Sequence, residues 1–520
     1  MRHDLLILFF ILLSSALMAD EHSNEAPSFK VQGIVTDEKG EGLPGASVWV
    51  KGTVVGAGTN AKGEFSFKLS SKNRCVLRVS FTGYEPQERE VTPGVDSLYH
   101  FVLEPSNNAL NEVVITGTRT LKPLKDVPVL TRVISSEDIA QVNPLDLQSL
   151  LEYEMPGLQF GLAHGSGLPE LKFQGSAGGY VLFMIDGERV AGEGSSNNID
   201  YNLIDMDNVE RIEIVKGPMS TLYGSQAMGG VVNIITKDAN RPFTGNVSVR
   251  YGNNDESKYS LSLGTKQGRF SALTSLSYRK RDAYALKDKE GQIEYSYYKD
   301  IYGRDSVVAD TSEKGMSSVN GFEIWQANQK LSYTFNENFR ISLNGTYYNN
   351  DVLEYVEQKE QDRFSNYSIN PRVYYAINDS HILDFSYVFE NYEKRYVYTT
   401  SLPSKKVFGD LTNTVRLNYT GYIHEKHTLT AGIEVNTQKL QHYWFDNGSG
   451  KKFDAQTYVL YLQEDYKVSD SFSVLAGVRS DCHSKYGFHA SPKISLMYKY
   501  GVLTLRGGYG MGFRIPSLKE

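Results

Sequence analysis

The chain has 520 residues and a formal net charge of −7, with 54 basic and 61 acidic side chains spread along it. This length exceeds one compact domain, so three or more domains are expected, and the acidic balance argues against nucleic acid as a partner. Tyrosine outnumbers phenylalanine, 35 against 24, which favours half-wet surfaces where a ring is buried and its hydroxyl is not. The two cysteines, Cys75 and Cys482, supply neither a disulfide framework nor a metal motif.

The N-terminus has the pattern of a secretory signal peptide. Arg2 precedes an unbroken apolar run over residues 5–13, and small residues follow at Ser14, Ser15, Ala16 and Ala19. We assign residues 1–19 to the signal peptide, with an uncleaved anchor as the alternative. The run is too short to cross a bilayer as a helix. No other segment has the length and apolarity of a transmembrane helix, so passage through a membrane would have to use β-strands.

Residues 28–104 are predicted to form a small Ig-like β-sandwich. Short β-type runs, such as residues 31–35 and 76–81, alternate with turns that contain glycine or proline. The phrases Leu-Pro-Gly-Ala-Ser-Val at 43–48 and Gly-Glu-Phe-Ser-Phe at 63–67 resemble the carboxypeptidase-regulatory-like domain. That domain is a common N-terminal extension on outer-membrane receptors of the Bacteroidetes type. Peptidase activity is not expected, because the sequence holds no cluster of zinc ligands.

Residues 105–122 read as a polar linker that contains one β-prone segment. Residues 110–117 are Leu-Asn-Glu-Val-Val-Ile-Thr-Gly, and a lone strand between two domains can lend its edge to a partner by strand addition. The segment resembles the TonB box, through which such receptors contact the energy-transducing protein TonB. On the motif alone, an ordinary linker strand is the alternative. The resemblance assigns TonB binding to Glu112, Val113, Val114, Ile115 and Thr116.

Residues 209–237 contain two β-type runs separated by Gly217-Pro218 and by a compact corner with three further glycines. With Met-Pro-Gly-Leu at 155–158 and Ile-Asp-Gly at 185–187, this stretch resembles the signature of the plug domain of TonB-dependent outer-membrane receptors. The resemblance implies an α+β plug domain over residues 123–240.

The same resemblance implies how the plug is held in place. In the family, arginine and glutamate in this part of the plug tend to pair with carboxylates on the barrel wall. Arg211, Glu213 and Lys216 are therefore the predicted docking residues. Lys216 stands where the family more often has arginine, and its ammonium lacks the bidentate fork of a guanidinium.

From residue 241 to residue 520 the sequence alternates between polar and apolar side chains over long stretches. An apolar face with a polar reverse fits either a half-buried soluble sheet or a lipid-facing barrel. Short turns, as at 336–338 and 378–380, alternate with longer connections, as at 280–324 and 442–455. This alternation is typical of an outer-membrane barrel, with the turns in the periplasm and the loops outside.

The turns define about thirteen antiparallel strands, whereas members of the resembled family close a barrel at about 22. Residues 512–517, Gly-Phe-Arg-Ile-Pro-Ser, resemble a box found in the middle of the family's barrels. We therefore expect a mainly β protein with a partial transmembrane barrel that is truncated at its C-terminus. An open sheet edge would leave unpaired backbone groups in lipid.

The resemblance implies a receptor in the outer membrane of a Gram-negative bacterium that takes up a scarce nutrient. Its partners would be the periplasmic TonB complex, the extracellular ligand, outer-membrane lipid and a surface lipoprotein. Haem or a ferric siderophore is the expected cargo, with cobalamin or an oligosaccharide as the alternative. A non-transporting adhesin or signalling receptor on the same barrel is a second alternative. No catalytic constellation emerges, so we expect no enzyme, and no cofactor other than the transported haem or iron chelate.

Four histidines are candidates for contact with the cargo, and the metal-binding residues are left unassigned. His164 lies in a glycine-rich plug loop at 161–167, and His442, His483 and His489 lie in or beside predicted barrel loops. In the haem-uptake branch of the family, imidazoles on the plug apex and loops would ligate iron. The alternative is that these histidines are simply solvated.

Overall fold

A computed structural model of the chain describes residues 29–516 and residue 518, with gaps. The gaps are residues 52, 54, 70–72, 82–83, 94–97, 105–112, 121, 156–157, 163–168, 174–175, 191, 193–198, 286–293, 300–304, 311–317, 355–359, 399–401, 425, 443–451 and 517. The predicted signal peptide, Glu112 and His164 therefore lie outside the described residues.

The N-terminal domain contains two small sheets. Its strands are β1 (Phe29–Asp37), β2 (Ser47–Val50), β3 (Gly56–Gly58), β4 (Glu64–Leu69), β5 (Cys75–Ser80), β6 (Gln87–Val91) and β7 (Tyr99–Leu103). One sheet has the order β4-β1-β7 and the other the order β3-β2-β5-β6. Alternate side chains of β4, Phe65, Phe67 and Leu69, are buried and share one core with Val48 and Leu77 of the second sheet. The predicted N-terminal β-domain is confirmed.

The linker and the plug supply ten strands and three α-helices among the described residues. The strands are β8 (Val113–Val114), β9 (Lys122–Pro123), β10 (Thr131–Ile134), β11 (Leu158–Leu162), β12 (Pro169–Phe173), β13 (Ser176–Ala177), β14 (Val181–Ile185), β15 (Glu188–Arg189), β16 (Val209–Lys216) and β17 (Gly230–Thr236). The helices are α1 (Ser136–Val142), α2 (Leu147–Glu154) and α3 (Ser220–Tyr223). Short 3-10 turns cover Leu124–Asp126, Gly178–Tyr180, Tyr201–Leu203 and Met206–Asn208.

A five-stranded sheet with the order β10-β16-β17-β14-β15 is the centre of the plug. β16 and β17 are antiparallel, and the compact corner predicted between them contains the short helix α3. β14 lies parallel to β17, and the two-residue strand β15 forms the edge. Helices α1 and α2 pack Ile139, Leu147 and Leu150 against Ile212 and Ile214 of the sheet in one core.

Helix α1 begins where the sequence offers a capping box. The Asp138 amide donates to the Ser135 hydroxyl at 3.2 Å, and the Ser135 amide donates to the Asp138 carboxylate at 2.9 Å. Two amides that the helix itself leaves unpaired are thereby satisfied. The helix ends at Asn143, whose φ of 50° is the left-handed conformation that asparagine tolerates.

The C-terminal half of the chain forms one 13-stranded antiparallel sheet, with strands in chain order. Its strands are β18 (Thr244–Tyr251), β19 (Ser257–Gln267), β20 (Phe270–Arg281), β25 (Gly321–Asn336), β26 (Phe339–Leu353), β27 (Glu360–Asn378), β28 (His381–Tyr398), β29 (Lys405–Ile423), β30 (His427–His442), β31 (Lys452–Lys467), β32 (Phe472–His483), β33 (Gly487–Tyr500) and β34 (Leu503–Gly510). The connection from β20 to β25 carries β21 (Tyr284–Ala285), β22 (Glu294–Lys299), β23 (Asp305–Asp310) and β24 (Ser318–Val319).

The two faces of this sheet differ as the sequence alternation predicts. In β31 the side chains of Leu460 and Leu462 are 60% and 48% exposed, whereas Tyr461 and Gln463 between them are 1% and 2% exposed. The exposed face is apolar and the buried face contacts the plug. No helix in the described part of the chain is long and apolar enough to cross a membrane.

The sheet surrounds the plug, because strands from both of its ends contact it. Lys258 of β19 forms an ion pair with Asp205 of the plug at 2.6 Å. At the other end, Arg506 of β34 donates to the backbone carbonyl of Val127 at 2.9 Å. The plug therefore lies against the polar inner face of the sheet.

Candidate functional site

The segment predicted as a TonB box is folded against the plug through one carboxylate. Glu213, on β16, is completely buried and accepts hydrogen bonds from the amides of Ile115 and Thr116 at 3.0 and 2.8 Å. The Thr116 hydroxyl donates to the same carboxylate oxygen at 2.7 Å and accepts from the Asn233 side chain at 2.9 Å. Because Thr116 is itself completely buried, no water competes for these bonds.

A second plug residue contacts the same end of the box. The hydroxyl of Tyr223, the last residue of α3, donates to the backbone carbonyl of Thr116 at 3.0 Å. Burial raises the pKa of Tyr223 to about 12, so this hydroxyl keeps its proton throughout the physiological range. The guanidinium of Arg119 lies over the Tyr223 ring at 4.9 Å and over the ring of Tyr461 in the wall at 4.6 Å. The plug thus holds the box through the amides of Ile115 and Thr116 and through the hydroxyl and the carbonyl of Thr116.

The predicted docking role of Arg211, Glu213 and Lys216 is corrected by this geometry. Arg211 pairs with Glu213 at 2.9 Å and with Glu210 at 3.4 Å, and both carboxylates belong to its own strand. The pairing is local because residues two apart in a strand project from the same face. Glu213 faces the box instead of the barrel wall. For Lys216 the structure gives a backbone bond, from its amide to Leu130, and no carboxylate among the described barrel residues pairs with it.

The plug is docked by other charges, of which Arg416 of β29 is the most central. Its guanidinium lies 2.9 Å from Glu188 of the plug edge strand and 2.8 Å from Glu434 of β30. The three side chains are 8%, 11% and 7% exposed. A neighbouring guanidinium, that of Arg479 in β32, pairs with Asp481 at 2.9 Å and donates to the carbonyl of Leu222 in α3 at 3.1 Å.

A second docking contact lies on the other side of the plug. Lys258 of β19, 3% exposed, pairs with Asp205 at 2.6 Å and Asp207 at 2.9 Å. Burial tends to raise the pKa of Asp207, but the Lys258 ammonium, the Ser260 hydroxyl and Arg250 outweigh it and lower the pKa. The carboxylate is therefore held in its charged form, which keeps this contact intact at neutral pH.

Sequence reasoning missed these docking residues, although one signal for them was present. Arg416, Glu434 and Arg479 occupy positions that face inward in an alternating strand, where a lipid-facing charge would cost about 2–4 kcal/mol. Charges on the inner face therefore pointed to plug contacts or to a polar lumen. The partners of these charged residues lie up to 257 residues away along the chain, as between Arg479 and Leu222. The sequence alone therefore could not predict which residues pair.

Two adjoining cavities separate the plug edge from the wall. One is larger than the other, and residues Glu188, Arg189, Val190, Val388 and Glu390 line both. The larger cavity is charged, since its lining includes Asp410, Glu434, Arg479 and Asp481. The smaller combines hydroxyls and the carboxamides of Asn208, Gln326, Asn328, Asn344, Asn366 and Asn370 with apolar side chains such as Ile185, Leu203, Ile204 and Ile234. The charged walls of the larger cavity suit a polar solute rather than an apolar one.

Arg189 is one of the plug residues that line both cavities. Burial and, to a smaller extent, the nearby Arg479 guanidinium lower its pKa to about 10, against the opposing effect of the Glu434 carboxylate. The group stays charged at neutral pH. Its guanidinium donates a hydrogen bond to the backbone carbonyl of Tyr223.

The three candidate histidines that the structure describes are not assembled into one ligand set. His442 is the last residue of β30 rather than a loop residue, is 6% exposed and packs edge-on to Phe408. His483, which lines the larger cavity, accepts hydrogen bonds at Nδ1 from the amides of Lys485 and Tyr486 at 3.1 and 3.3 Å. Its proton therefore sits on Nε2 in the neutral form, and that nitrogen has no lone pair for iron.

His489, the remaining described candidate, is occupied by local contacts. Its Nε2 lies 3.2 Å from the carbonyl of Tyr486, and its ring stacks on Phe513 with centroids 5.0 Å apart. Within the described residues, no group of three or more histidine, cysteine, aspartate or glutamate side chains is arranged to hold a metal ion.

Three family models match this chain in the order of its domains. The CarboxypepD_reg-like domain matches residues 31–115, the TonB-dependent receptor plug domain residues 123–231, and the TonB-dependent receptor-like beta-barrel residues 292–520. With the plug inside the sheet, these matches define a barrel-and-plug protein of the bacterial outer membrane. The chain belongs to the TonB-dependent receptors.

Curated relatives agree with this assignment. An iron-regulated outer membrane virulence protein of Vibrio cholerae is 25% identical over 432 residues, covering 78% of this chain and 60% of that protein. The vitamin B12 transporter BtuB of Vibrio vulnificus is 26% identical over 419 residues, covering 78% and 64%. A ferric enterobactin receptor of Pseudomonas aeruginosa is 25% identical over 469 residues, covering 78% and 61%. The chain thus spans less than two thirds of the length of these relatives.

Solved structures show the same fold. The ferric enterobactin receptor PfeA of Pseudomonas aeruginosa superposes with a TM-score of 0.62 at 19% identity, over 75% of this chain and 62% of that chain. The siderophore receptor PirA of the same organism gives 0.53 at 21% identity, over 75% and 65%. The predicted outer-membrane location is confirmed by the family, and the relatives named by activity are a transporter and a receptor rather than enzymes.

Proposed function

We propose that this receptor takes up a ferric chelate by TonB-driven transport across the outer membrane. The observation that carries the proposal is the burial of residues 114–116 against Glu213 of the plug. A segment stored in this way is withheld from a periplasmic partner until the plug changes. Strand addition then gives TonB a backbone edge to pair with.

A ferric siderophore is the cargo that we favour, with haem second. Relatives named for iron regulation and for ferric enterobactin support an iron chelate. The hydrogen bonds of His483 and His489 weigh against axial ligation of haem iron by these two residues. The charged walls of the larger cavity suit a hydrophilic chelate better than a flat apolar macrocycle.

In this mechanism the chelate first binds from outside, above the cavities beside β15. Binding that distorts the plug edge weakens the hold on Thr116, and the box becomes available in the periplasm. TonB pairs with it, and a pull from the inner membrane remodels the plug so that the cargo passes along the wall. Each step uses binding energy or applied force, and none requires a covalent change in the receptor.

The experiment compares uptake with binding in the complete receptor expressed in a strain that lacks its own iron receptors. Deletion of Glu112 to Thr116 should abolish accumulation of iron-55 from ferric enterobactin or haemin while leaving surface binding of the same probe intact. Deletion of Ser106 to Asn108, three polar linker residues, is the matched control. Accumulation that survives loss of the box would reject energised transport, and surface binding without any accumulation by the intact receptor would favour an adhesin.

Vitamin B12 is the second candidate cargo, because a B12 transporter is among the relatives of similar identity. Growth assays separate the two. A strain that depends on the receptor for iron should grow on the ferric chelate, and a strain that depends on it for cyanocobalamin should not grow. The opposite pattern would overturn the iron assignment.

A further inference from the structure

Tyr223 contacts a residue of the cavity lining through its backbone carbonyl and the box through its phenol hydroxyl. Its backbone carbonyl accepts from the guanidinium of Arg189, which lines both cavities. Its phenol hydroxyl donates to the carbonyl of Thr116 at 3.0 Å. Only one residue therefore separates the lining of the cavity from the segment that Glu213 holds.

The cavity end of this connection is the side chain of Arg189, while the neighbouring Glu188 fixes the strand to the wall through Arg416. Arg189 belongs to β15, a two-residue strand at the sheet edge that pairs only with β14, through the partners Met184–Arg189 and Ile185–Glu188. The step that the coupling needs is therefore a movement of the Arg189 side chain rather than of the strand. A solute that draws the Arg189 guanidinium into the cavity would remove a donor from the Tyr223 carbonyl.

The box end is sensitive to small shifts of Tyr223. The residue is 7% exposed and ends α3, and the guanidinium of Arg119 covers its ring at 4.9 Å. The next residue, Gly224, has a φ of 73° and lies directly against Arg479. With its ring confined in this way, a displacement of the backbone carries the hydroxyl with it, and hydrogen bonds weaken steeply with distance and angle.

We propose that Tyr223 is a positioning residue that couples occupancy of the cavity beside Arg189 to the hold on Thr116. The proposal rests on the proposed function, since it states how a bound solute reaches the box. When the Arg189 bond is intact, the phenol stays on the Thr116 carbonyl and the box stays folded. When that bond is lost, Tyr223 shifts and the box is released.

The test measures release of the box directly, without TonB and without a transported ligand. Val114 is completely buried, so Val114→Cys reports opening through its reaction with a charged maleimide. The background carries Cys75→Ser and Cys482→Ser, because both native thiols are free. The full-length receptor is labelled in outer-membrane vesicles, and its thermal unfolding midpoint is recorded in parallel.

Tyr223→Phe removes the hydroxyl alone and should raise the labelling rate about fivefold, the population shift expected for one neutral hydrogen bond. Arg189→Lys keeps the positive charge but shortens the donor arm, and should raise the rate by a similar factor. The double variant should label no faster than the faster single variant, because both changes act through one residue. Tyr201→Phe, a buried plug tyrosine in a different cluster, should leave the rate unchanged.

Independent multiplication of the two effects in the double variant would overturn the coupling, as would an unchanged rate in Tyr223→Phe. A rate increase that follows a fall of the unfolding midpoint in every variant, Tyr201→Phe included, would mean general loosening and would also overturn it. Failure of transport does not affect these readouts, because labelling requires neither energy nor cargo. The coupling and the proposed function can therefore fail separately.

Discussion

Arg416 of the barrel wall holds Glu188 of the plug through both carboxylate oxygens, each 2.9 Å from one guanidinium nitrogen. The same guanidinium also contacts Glu434 of the neighbouring strand at 2.8 Å. One cation thus joins the plug edge to the wall inside a region that water hardly reaches. The contact fixes the edge strand β15, which separates the two cavities.

Arg416→Met should weaken plug docking strongly. Removing one partner of a buried ion pair leaves the other charge uncompensated and typically costs about 3–5 kcal/mol. Calorimetry of the detergent-solubilised complete receptor should show a lower unfolding midpoint for the plug transition. Arg372→Met is the control, since its pair with Asp384 has side-chain exposures of 40% and 19%. A more exposed pair of this kind contributes about 0–1 kcal/mol, so equal losses in both variants would contradict the assignment.

Glu213→Ala should expose the box without any ligand. The change leaves the amides of Ile115 and Thr116 without their acceptor, and hydrogen bonds to a charged group contribute about 1.5–3 kcal/mol. The apparent affinity for the isolated C-terminal domain of TonB should therefore rise on the order of 10- to 100-fold in surface plasmon resonance. Glu210→Ala, on the same strand with a side chain 43% exposed, should leave the affinity unchanged. Equal affinities for wild type and Glu213→Ala would show that Glu213 does not hold the box.

Acidification should weaken the ion pair of Asp207 with Lys258 in a defined pH range. Burial tends to raise its pKa, but Lys258, Ser260 and Arg250 lower it below the unfolded value of about 3.9. The folded state therefore binds a proton less readily than the unfolded state. The stabilisation is complete above the unfolded pKa and is lost as pH falls through the folded pKa.

Thermal unfolding of the plug, followed from pH 7 to pH 3, should therefore be flat at first and then fall below about pH 4. Asp207→Asn should start from a lower midpoint at pH 7 and should show a smaller acid-dependent decrease. A variant whose midpoint declines with acid as steeply as that of the wild type would show that other carboxylates control the transition.

Gly224→Ala should disturb the plug more than an alanine at a free glycine. A β-carbon at Gly224 would lie 2.7 Å from Nη2 of Arg479, and the φ of 73° is already unfavourable for an L-residue by about 1–2 kcal/mol. Gly187→Ala is the matched control, because its φ is 85° but nothing lies within 4 Å. Both variants carry the strain of a positive φ, and Gly224 also has a ψ of −146°, a combination open essentially to glycine alone. A larger fall of the unfolding midpoint in Gly224→Ala therefore reports the clash together with this stricter backbone requirement. No difference would mean that Arg479 moves aside freely.

The sequence predicted most of the architecture because its signals are local. Alternation of apolar and polar residues, as at Leu460 to Gln463, repeats along each strand and fixes which face is buried. Turn residues separate the strands, so the expectation of about thirteen strands agrees with the thirteen-stranded sheet. Caps such as Ser135 with Asp138 mark a helix start within four residues. The TonB-box assignment and the cargo remain predictions.

The contacts between domains were not predictable in the same way. Arg211 and Glu213 have the side chains that a docking pair needs, but they are two apart in one strand and pair with each other. Nothing in the sequence distinguishes such a pair from one that reaches across to the wall. His483, predicted beside a barrel loop, lines a cavity, yet its ability to act as a ligand depends on which ring nitrogen accepts backbone amides. That is a property of the folded turn.

The shape of the hairpin β8–β9 has a mechanical consequence. Val113 pairs with Pro123 and Val114 with Lys122, so the free end of β8 and the plug end of β9 leave the hairpin side by side. Tension between these two ends would unzip the backbone pairs one after the other instead of shearing them all at once. The first resistance to a pulling partner would then come from the buried carboxylate of Glu213 behind the hairpin. Force would reach the rest of the plug only after the hydrogen bonds of that carboxylate had broken.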